Sequence, residues 1–128
     1  MNLLLDTCTF LWIVQGNPAV SPGVKELFSS PENAVFLSVI SAWEISVKYG
    51  LGKLKLPLSP DIFVPRERSR HLITELPLQE RDIFPLNKLP EIHKDPFDRM
   101  LICQAIENGL TILTPDEHIH QYPVKTLW

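Results

Sequence analysis

The chain has 128 residues, 45% of them hydrophobic and 21% charged, with a net charge of −3. That balance suits one globular domain over residues 1–128 and excludes a chain that stays disordered. No apolar run nears the roughly 18–20 residues of a membrane span, and the acidic excess argues against a generic nucleic-acid-binding surface. Leu3-Leu4-Leu5, ending at Asp6, reads as a short buried parallel strand. Thr7 to Val14 carries Phe10, Leu11 and Val14 at helical spacing and is stopped by Gln15-Gly16-Asn17-Pro18. Ser21-Pro22 forms an N-cap and first position for a second helix to about Phe28. Ala34 to Leu37 is the next strand. Ser41, with Glu44 three residues on, has the spacing of a capping box for a helix to about Tyr49, ended by Gly50 and Gly52.

Seven of the twelve prolines fall between residues 57 and 96, so the elements there are short. The pattern predicts a helix over Asp61 to Ser69, a strand over Leu72 to Glu75, and one or two helical turns over Gln79 to Phe84. Asp95 then caps a helix that starts at Pro96, sets Leu101, Ile102, Ala105 and Ile106 on one face, and ends before Gly109. Thr111 to Leu113 is a strand, Asp116 to His120 a helical turn, and Val124 to Leu127 a last strand. Two cysteines, Cys8 and Cys103, are too few for a disulfide framework, are expected to be buried, and suit a reducing, cytoplasmic compartment. The start, Met-Asn-Leu-Leu-Leu-Asp, lacks the basic region of a signal peptide.

Strands alternating with helices imply a parallel sheet covered on both faces, with its chemistry beyond the carboxyl ends of the strands. Asp6 and Asp116 follow two strands. Glu44 and Asp98 are expected in the first turns of two helices that follow or flank the same edge. Four carboxylates in one cleft must either raise some of their pKa values or recruit a cation. An all-oxygen set favours Mg²⁺, with Mn²⁺ as the alternative. Two lone cysteines, with only His118 and His120 near each other, make no zinc set. The four acids carry four negative charges, so the remainder of the chain stands at +1. Lys48, Lys53, Lys55, Arg66, Arg68, Arg70, Lys94 and Arg99 are then available to hold phosphates.

Each residue also has a plainer role. Asp6, Asp95 and Asp116 are placed to cap helices, Glu44 to complete a capping box, and Asp98 to favour the positive end of a helix dipole. Arg66 to His71 reads as a solvated helix face, and Trp12, Trp43 and Trp128 as packing residues. Co-location of the acids at one sheet edge is what raises the functional reading.

The segment Leu3-Leu-Leu-Asp-Thr-Cys-Thr-Phe-Leu-Trp12 resembles the opening of PIN-domain proteins. So do Ser38-Val-Ile-Ser-Ala-Trp-Glu-Ile-Ser-Val-Lys48 and the following Gly50-Leu-Gly-Lys-Leu54. The strongest likeness is His93-Lys-Asp-Pro-Phe-Asp-Arg-Met-Leu-Ile-Cys-Gln-Ala105, and Leu113-Thr-Pro-Asp116 completes the set. Over nearly its whole length the chain is similar to VapC-type toxins of toxin–antitoxin pairs. The resemblance implies a PIN-like three-layer α/β/α sandwich around a central, mostly parallel sheet. It also implies Mg²⁺- or Mn²⁺-dependent endoribonuclease activity, with Asp6, Glu44, Asp98 and Asp116 as the acidic quartet. Asp6, Asp98 and Asp116 are the metal ligands in this reading. Thr114 supplies a hydroxyl that can orient a metal-bound water or the last Asp, Asp95 is an extra acid at the rim, and Lys48, Lys53 and Arg99 are the RNA-contact candidates. A small antitoxin protein that covers the cleft and a homodimer are the partners implied. Position 8 carries Cys where many relatives have another residue.

Hydrolysis by the two-metal scheme would leave 5′-phosphate and 3′-hydroxyl ends. A phosphatase with an Asp nucleophile would need Asp-x-Asp after the first strand, and Asp6-Thr7-Cys8 lacks the second acid. A non-catalytic module that keeps the fold and binds a partner is the remaining alternative.

Overall fold

The computed structural model describes residues 1–128. Five strands form one sheet: β1 (Asn2–Leu5), β2 (Ala34–Ser38), β3 (Thr74–Leu76), β4 (Thr111–Leu113) and β5 (Thr126–Leu127). Their order is β3-β2-β1-β4-β5, and every neighbouring pair is parallel. Parallel neighbours need crossovers, which the helices supply. They are α1 (Thr7–Gln15), α2 (Pro22–Ser29), α3 (Val39–Gly50), α4 (Pro60–Arg70), α5 (Pro96–Asn108) and α6 (Glu117–His120). Two 3₁₀ turns, Glu80–Asp82 and Phe84–Lys88, lie between β3 and α5.

The alternation of side chains along each strand divides the interior into two cores. Leu3, Leu5, Val35, Leu37 and Leu113 face Phe10 of α1, Val24 of α2, Ile45 of α3 and Phe63 of α4. Leu4 and Ile112 face Leu101, Ile102 and Ala105 of α5 and Ile119 of α6. Leu3, Leu4 and Leu5 are fully buried because β1 is the central strand, covered on both sides. The result is an α/β/α sandwich. Ile106, expected on the buried face of α5, is instead exposed, because Cys103 and Gln104 turn inward in its place.

Register places the carboxyl ends of three strands side by side. Leu5 lies opposite Leu37 and Leu113. The next residues, Asp6, Ser38 and Thr114, therefore emerge on one edge.

Three element boundaries differ from the sequence reading, and the simplest is the last strand, expected from Val124 but formed only over Thr126–Leu127, where it pairs with Ile112 and Leu113. Ser38, not Ser41, caps α3: its hydroxyl accepts from the Ile40 amide at 3.0 Å, and the helix leaves the strand without a loop. Val39-Ile40 resembles a strand by composition, which hides that start. Ser41 is instead wholly buried inside the helix and Glu44 lies in its second turn, so no capping box joins them. β3 begins at Thr74, two residues later than expected. The end of α4 occupies the intervening residues: Leu72 takes a left-handed conformation (φ 56°), and the Ile73 amide closes back on the Arg68 carbonyl at 2.9 Å. That six-to-one closure also ends α1 at Gly16 and α5 at Gly109, where glycine supplies the positive φ without a Cβ penalty.

Leu72 is 88% exposed, so it contributes little burial in return for this backbone strain. Leu72→Gly is expected to raise unfolding stability by about 0.5–1 kcal/mol. Urea denaturation reads it, and an unchanged or lower midpoint would refute the strain at this helix end.

Candidate active site

Asp6 caps α1 and is almost wholly buried. Oδ1 accepts from the Thr9 amide at 2.7 Å, and Oδ2 accepts from the Thr114 hydroxyl at 2.5 Å. The Thr114 oxygen accepts in turn from the Asp116 amide at 3.0 Å. One hydroxyl thus ties the end of β1 to the end of β4 and to the start of α6. Burial pushes the Asp6 carboxyl above its usual pKa, the Thr114 and Thr9 hydrogen bonds pull it down, and the Asp116 charge adds to the rise. Asp116 caps α6, accepting from the His118 amide at 2.7 Å, and its side chain is 38% exposed.

Glu44 reaches the same edge from the second turn of α3. Its Oε1 accepts from the Thr7 hydroxyl at 2.7 Å, while Lys48, one turn on, meets Oε2 at 2.5 Å. Thr7 Oγ also lies 3.0 Å from Ser41 Oγ. With the Thr7 proton given to the carboxylate, Ser41 is left to donate to Thr7. The hydrogen bond from Glu44 holds the Lys48 ammonium above its ordinary pKa, so Lys48 keeps its charge.

Asp98 enters from the first turn of α5. Asp95 caps that helix, its Oδ1 accepting from the Phe97 and Asp98 amides at 2.9 and 3.0 Å. The Asp98 pKa is pushed up to about 6, mainly by burial. The charges of Asp95, Asp116 and Glu44 push in the same direction, and the hydrogen bond from His93 opposes them. Asp98 therefore feels acids from α3, α5 and the β4–α6 turn at once.

The sequence reading did not assign His93. Its Nε2 lies 3.0 Å from Asp98 Oδ2 and its Nδ1 2.8 Å from the Tyr122 hydroxyl. With Asp98 ionised, Nε2–H donates to the carboxylate and Nδ1 accepts from the tyrosine. The tyrosine oxygen accepts from Arg99 at 3.0 Å and from the His93 amide at 3.2 Å. Every hydrogen-bonding position of that hydroxyl is filled. Five-residue spacing before Asp98 was visible in sequence, but the Tyr122 contact spans 29 residues and was not. His118 stacks on His93, ring centroids 5.2 Å apart, whereas His120 is bonded to Thr114 and Thr126.

The four acids, Asp95 and Thr114 gather at this edge. No three His, Cys, Asp or Glu side chains close into a ready-made metal cage. Lys48 lies at the site through Glu44, and Lys53 lines an adjoining cleft. Arg99 is differently engaged: its guanidinium donates to the Pro90 carbonyl at 2.9 Å and sits 5.8 Å over the Tyr122 ring. Arg68 and Arg70 pair with Glu75 and Glu67. Cys8, expected to be buried, is exposed because α1 turns it outward toward that cleft. Cys103 is buried as expected.

The sequence matches the PIN domain family over residues 3–125. The chain belongs to that family. This PIN domain also superposes on a chain of VapBC2 from Rickettsia felis, solved bound to a DNA fragment from its promoter. Identity there is 17% and the TM-score 0.74, covering 100% of this chain and 99% of the other. DNA-bound VapBC from Salmonella typhimurium gives 18% identity, a TM-score of 0.70, and 99% and 97% coverage. FitAcB from Neisseria gonorrhoeae gives 22%, 0.56, and 98% and 96%. At such identities the likeness shows the fold. The sequence matches no curated protein.

The raised Asp98 pKa has a definite sign in stability. Between its ordinary value of 3.8 and about 6, the folded state binds more protons than the unfolded state, so stability falls as pH rises through that window. Asp98→Asn is accordingly expected to raise the metal-free Tm clearly at pH 7 and little at pH 4. Calorimetry at the two values checks this, and an equal gain at both would exclude a raised pKa as the cause.

Proposed function

We propose that this PIN domain is a divalent-metal-dependent endoribonuclease acting as the toxin of a toxin–antitoxin pair. The observation that carries the reading is the assembly of Asp6, Glu44, Asp98 and Asp116 from separate elements at the carboxyl edge of one parallel sheet. Burial and mutual repulsion raise Asp98 to about 6, which marks an anionic site short of positive charge.

The donor set fits Mg²⁺ or Mn²⁺ by its chemistry, since it is all oxygen. Mg²⁺ keeps several of its waters and needs only one or two protein carboxylates, so a closed three-ligand cage is not required. Asp6, Asp98 and Asp116 would hold the ion. When bound, it supplies Lewis-acid polarisation of the phosphate and a water of lowered pKa. The protein's own groups do the rest. Thr114 and the Thr9 amide fix the Asp6 carboxylate. His93, braced by Tyr122, fixes Asp98. Glu44 holds the charged Lys48 beside the site, where the ammonium can meet a backbone phosphate. Lys53 and Arg99 belong to the same RNA-contact proposal. Arg99 enters it through its hold on Tyr122.

An antitoxin fits the same electrostatics. A guanidinium entering this cleft would pair with two carboxylates and exclude metal and RNA together. The chain shares its fold with a chain of VapBC2, of VapBC and of FitAcB, and the antitoxin reading is consistent with that likeness. A homodimer is part of the same reading, and light scattering on the purified chain reads it. No helix is long and apolar enough to cross a membrane.

Purified protein freed of any partner is expected to cleave RNA with Mg²⁺ or Mn²⁺ and to stop in EDTA. Asp6→Ala and Asp98→Asn should each lower the rate by about 100-fold or more, and His93→Ala by about 10- to 100-fold with weaker Mg²⁺ binding. Full cleavage in EDTA would overturn the metal chemistry. Neither cleavage nor thermal stabilisation by Mg²⁺ would turn the reading to a partner-binding module.

A further inference from the structure

Beside the acids lies a cleft of about 340 Å³ that the carboxylate chemistry leaves without a role. Thr7 and Glu44 form the wall shared with the site. The apolar lining comes from Leu11 and Trp12 of α1, Ile45 of α3, and Leu54. Gln15, Lys48 and Lys53 are also part of the lining.

The turn after α3 makes this cleft. Gly52 has φ 73°, and the Lys53 amide closes on the Lys48 carbonyl at 2.9 Å. A side chain at residue 52 would resist that conformation. The closure sets Lys53 and Leu54 along the same cleft as α1, which accounts for the Gly50-Leu-Gly-Lys-Leu54 segment that the acidic site itself does not use.

We propose that this cleft receives the nucleotide next to the scissile phosphate and so selects the RNA sequence that is cut. The inference rests on the ribonuclease reading for its cleavage half, but not for the binding half. The volume is at the lower end for ligand sites and suits one nucleotide rather than a duplex. An apolar floor with an aromatic edge is what an unstacked base lies against in single-stranded recognition. The Gln15 amide is exposed and carries both donors and an acceptor. An amide can pair through two hydrogen bonds with the open edge of an unpaired base, and adenine, a large ring system without a carbonyl, suits the apolar floor best. Lys53 forms no ion pair within the chain and is free for a phosphate. Lys48 supplies a second positive charge where the cleft meets Glu44. Two lysines on an otherwise largely apolar lining favour a nucleotide, which carries both a ring and a phosphate, over a peptide side chain.

Two measurements on the full chain test this. In EDTA, NMR titration with 5′-AMP should shift the Gln15 amide and Trp12 indole signals, more than 5′-CMP does. Inorganic phosphate alone should leave both in place. With Mg²⁺, sequencing the ends of fragments from a randomised RNA should show enrichment of A at one position beside the cut. Gln15→Ala should flatten that enrichment by about fivefold or more. Lys53→Ala should weaken AMP binding. Both positions are exposed, and unchanged thermal unfolding shows that the variants fold.

Cleavage whose base preference is the same in wild type and both variants would overturn the pocket and leave the nuclease standing. AMP binding in the cleft of a protein that cuts no RNA would sink the nuclease reading and keep the nucleotide site. If AMP shifts neither signal while the variants weaken the hold of a co-purified inhibitor protein, the cleft docks a peptide and the assignment falls.

Discussion

A carboxylate buried at the end of a central strand must be compensated where it stands, because the interior offers no water to do it. Asp6 meets that demand through the Thr114 hydroxyl and the Thr9 amide. The first of these bonds joins residues 108 positions apart. It also fixes the mutual height of β1 and β4, whose ends define the edge on which the other acids converge. Removing a partner of a buried charge costs more than the bond itself contributes, since the charge stays and its compensation goes. Thr114 therefore sets the geometry of the site through the carboxylate of one acid and the backbone amide of another.

Three of the acids serve the fold and the site together. Asp6, Asp95 and Asp116 each accept backbone amides at a helix start. Caps of this kind stabilise a protein by roughly 1 kcal/mol each. A helix that begins directly after a strand puts its capping residue at the sheet edge, so capping and site formation draw on the same positions. Asp98 has no such capping bond. Its hydrogen bond to His93 only partly offsets its burial and the repulsion of its neighbours, and the outcome is a pKa near 6. Stability is conceded there to keep a negative site.

The positive groups are arranged with equal economy. Lys48 neutralises Glu44 from one helical turn away and remains charged at the rim. Arg99 acts through Tyr122 and His93 on the orientation of Asp98, although its position beside the acid motif suggested direct contact with a polyanion. The net charge of −3 is thus a poor guide to the local field, since Asp98 feels the charges of Asp95, Asp116 and Glu44 together.

Local rules determined much of this protein from sequence alone. The leucine run of β1, the Ser21-Pro22 and Asp95-Pro96 helix starts and the glycine stops are short-range events, and their residues carry the reason with them. The resemblance carried by the four acidic segments named the fold, and the PIN family match bears that out. Where local signals compete, sequence misled. Val39-Ile40 hides the start of a helix, Leu72 stands where glycine is usual, and Cys8 is exposed although its neighbours are apolar. Tertiary structure alone decided that the acids share one edge, that His93 reaches both Asp98 and Tyr122, and that a glycine turn sets Lys53 along the same cleft as α1. Those contacts join residues far apart in the chain, and their geometry is set by strand register and helix packing, which no window of neighbouring residues contains.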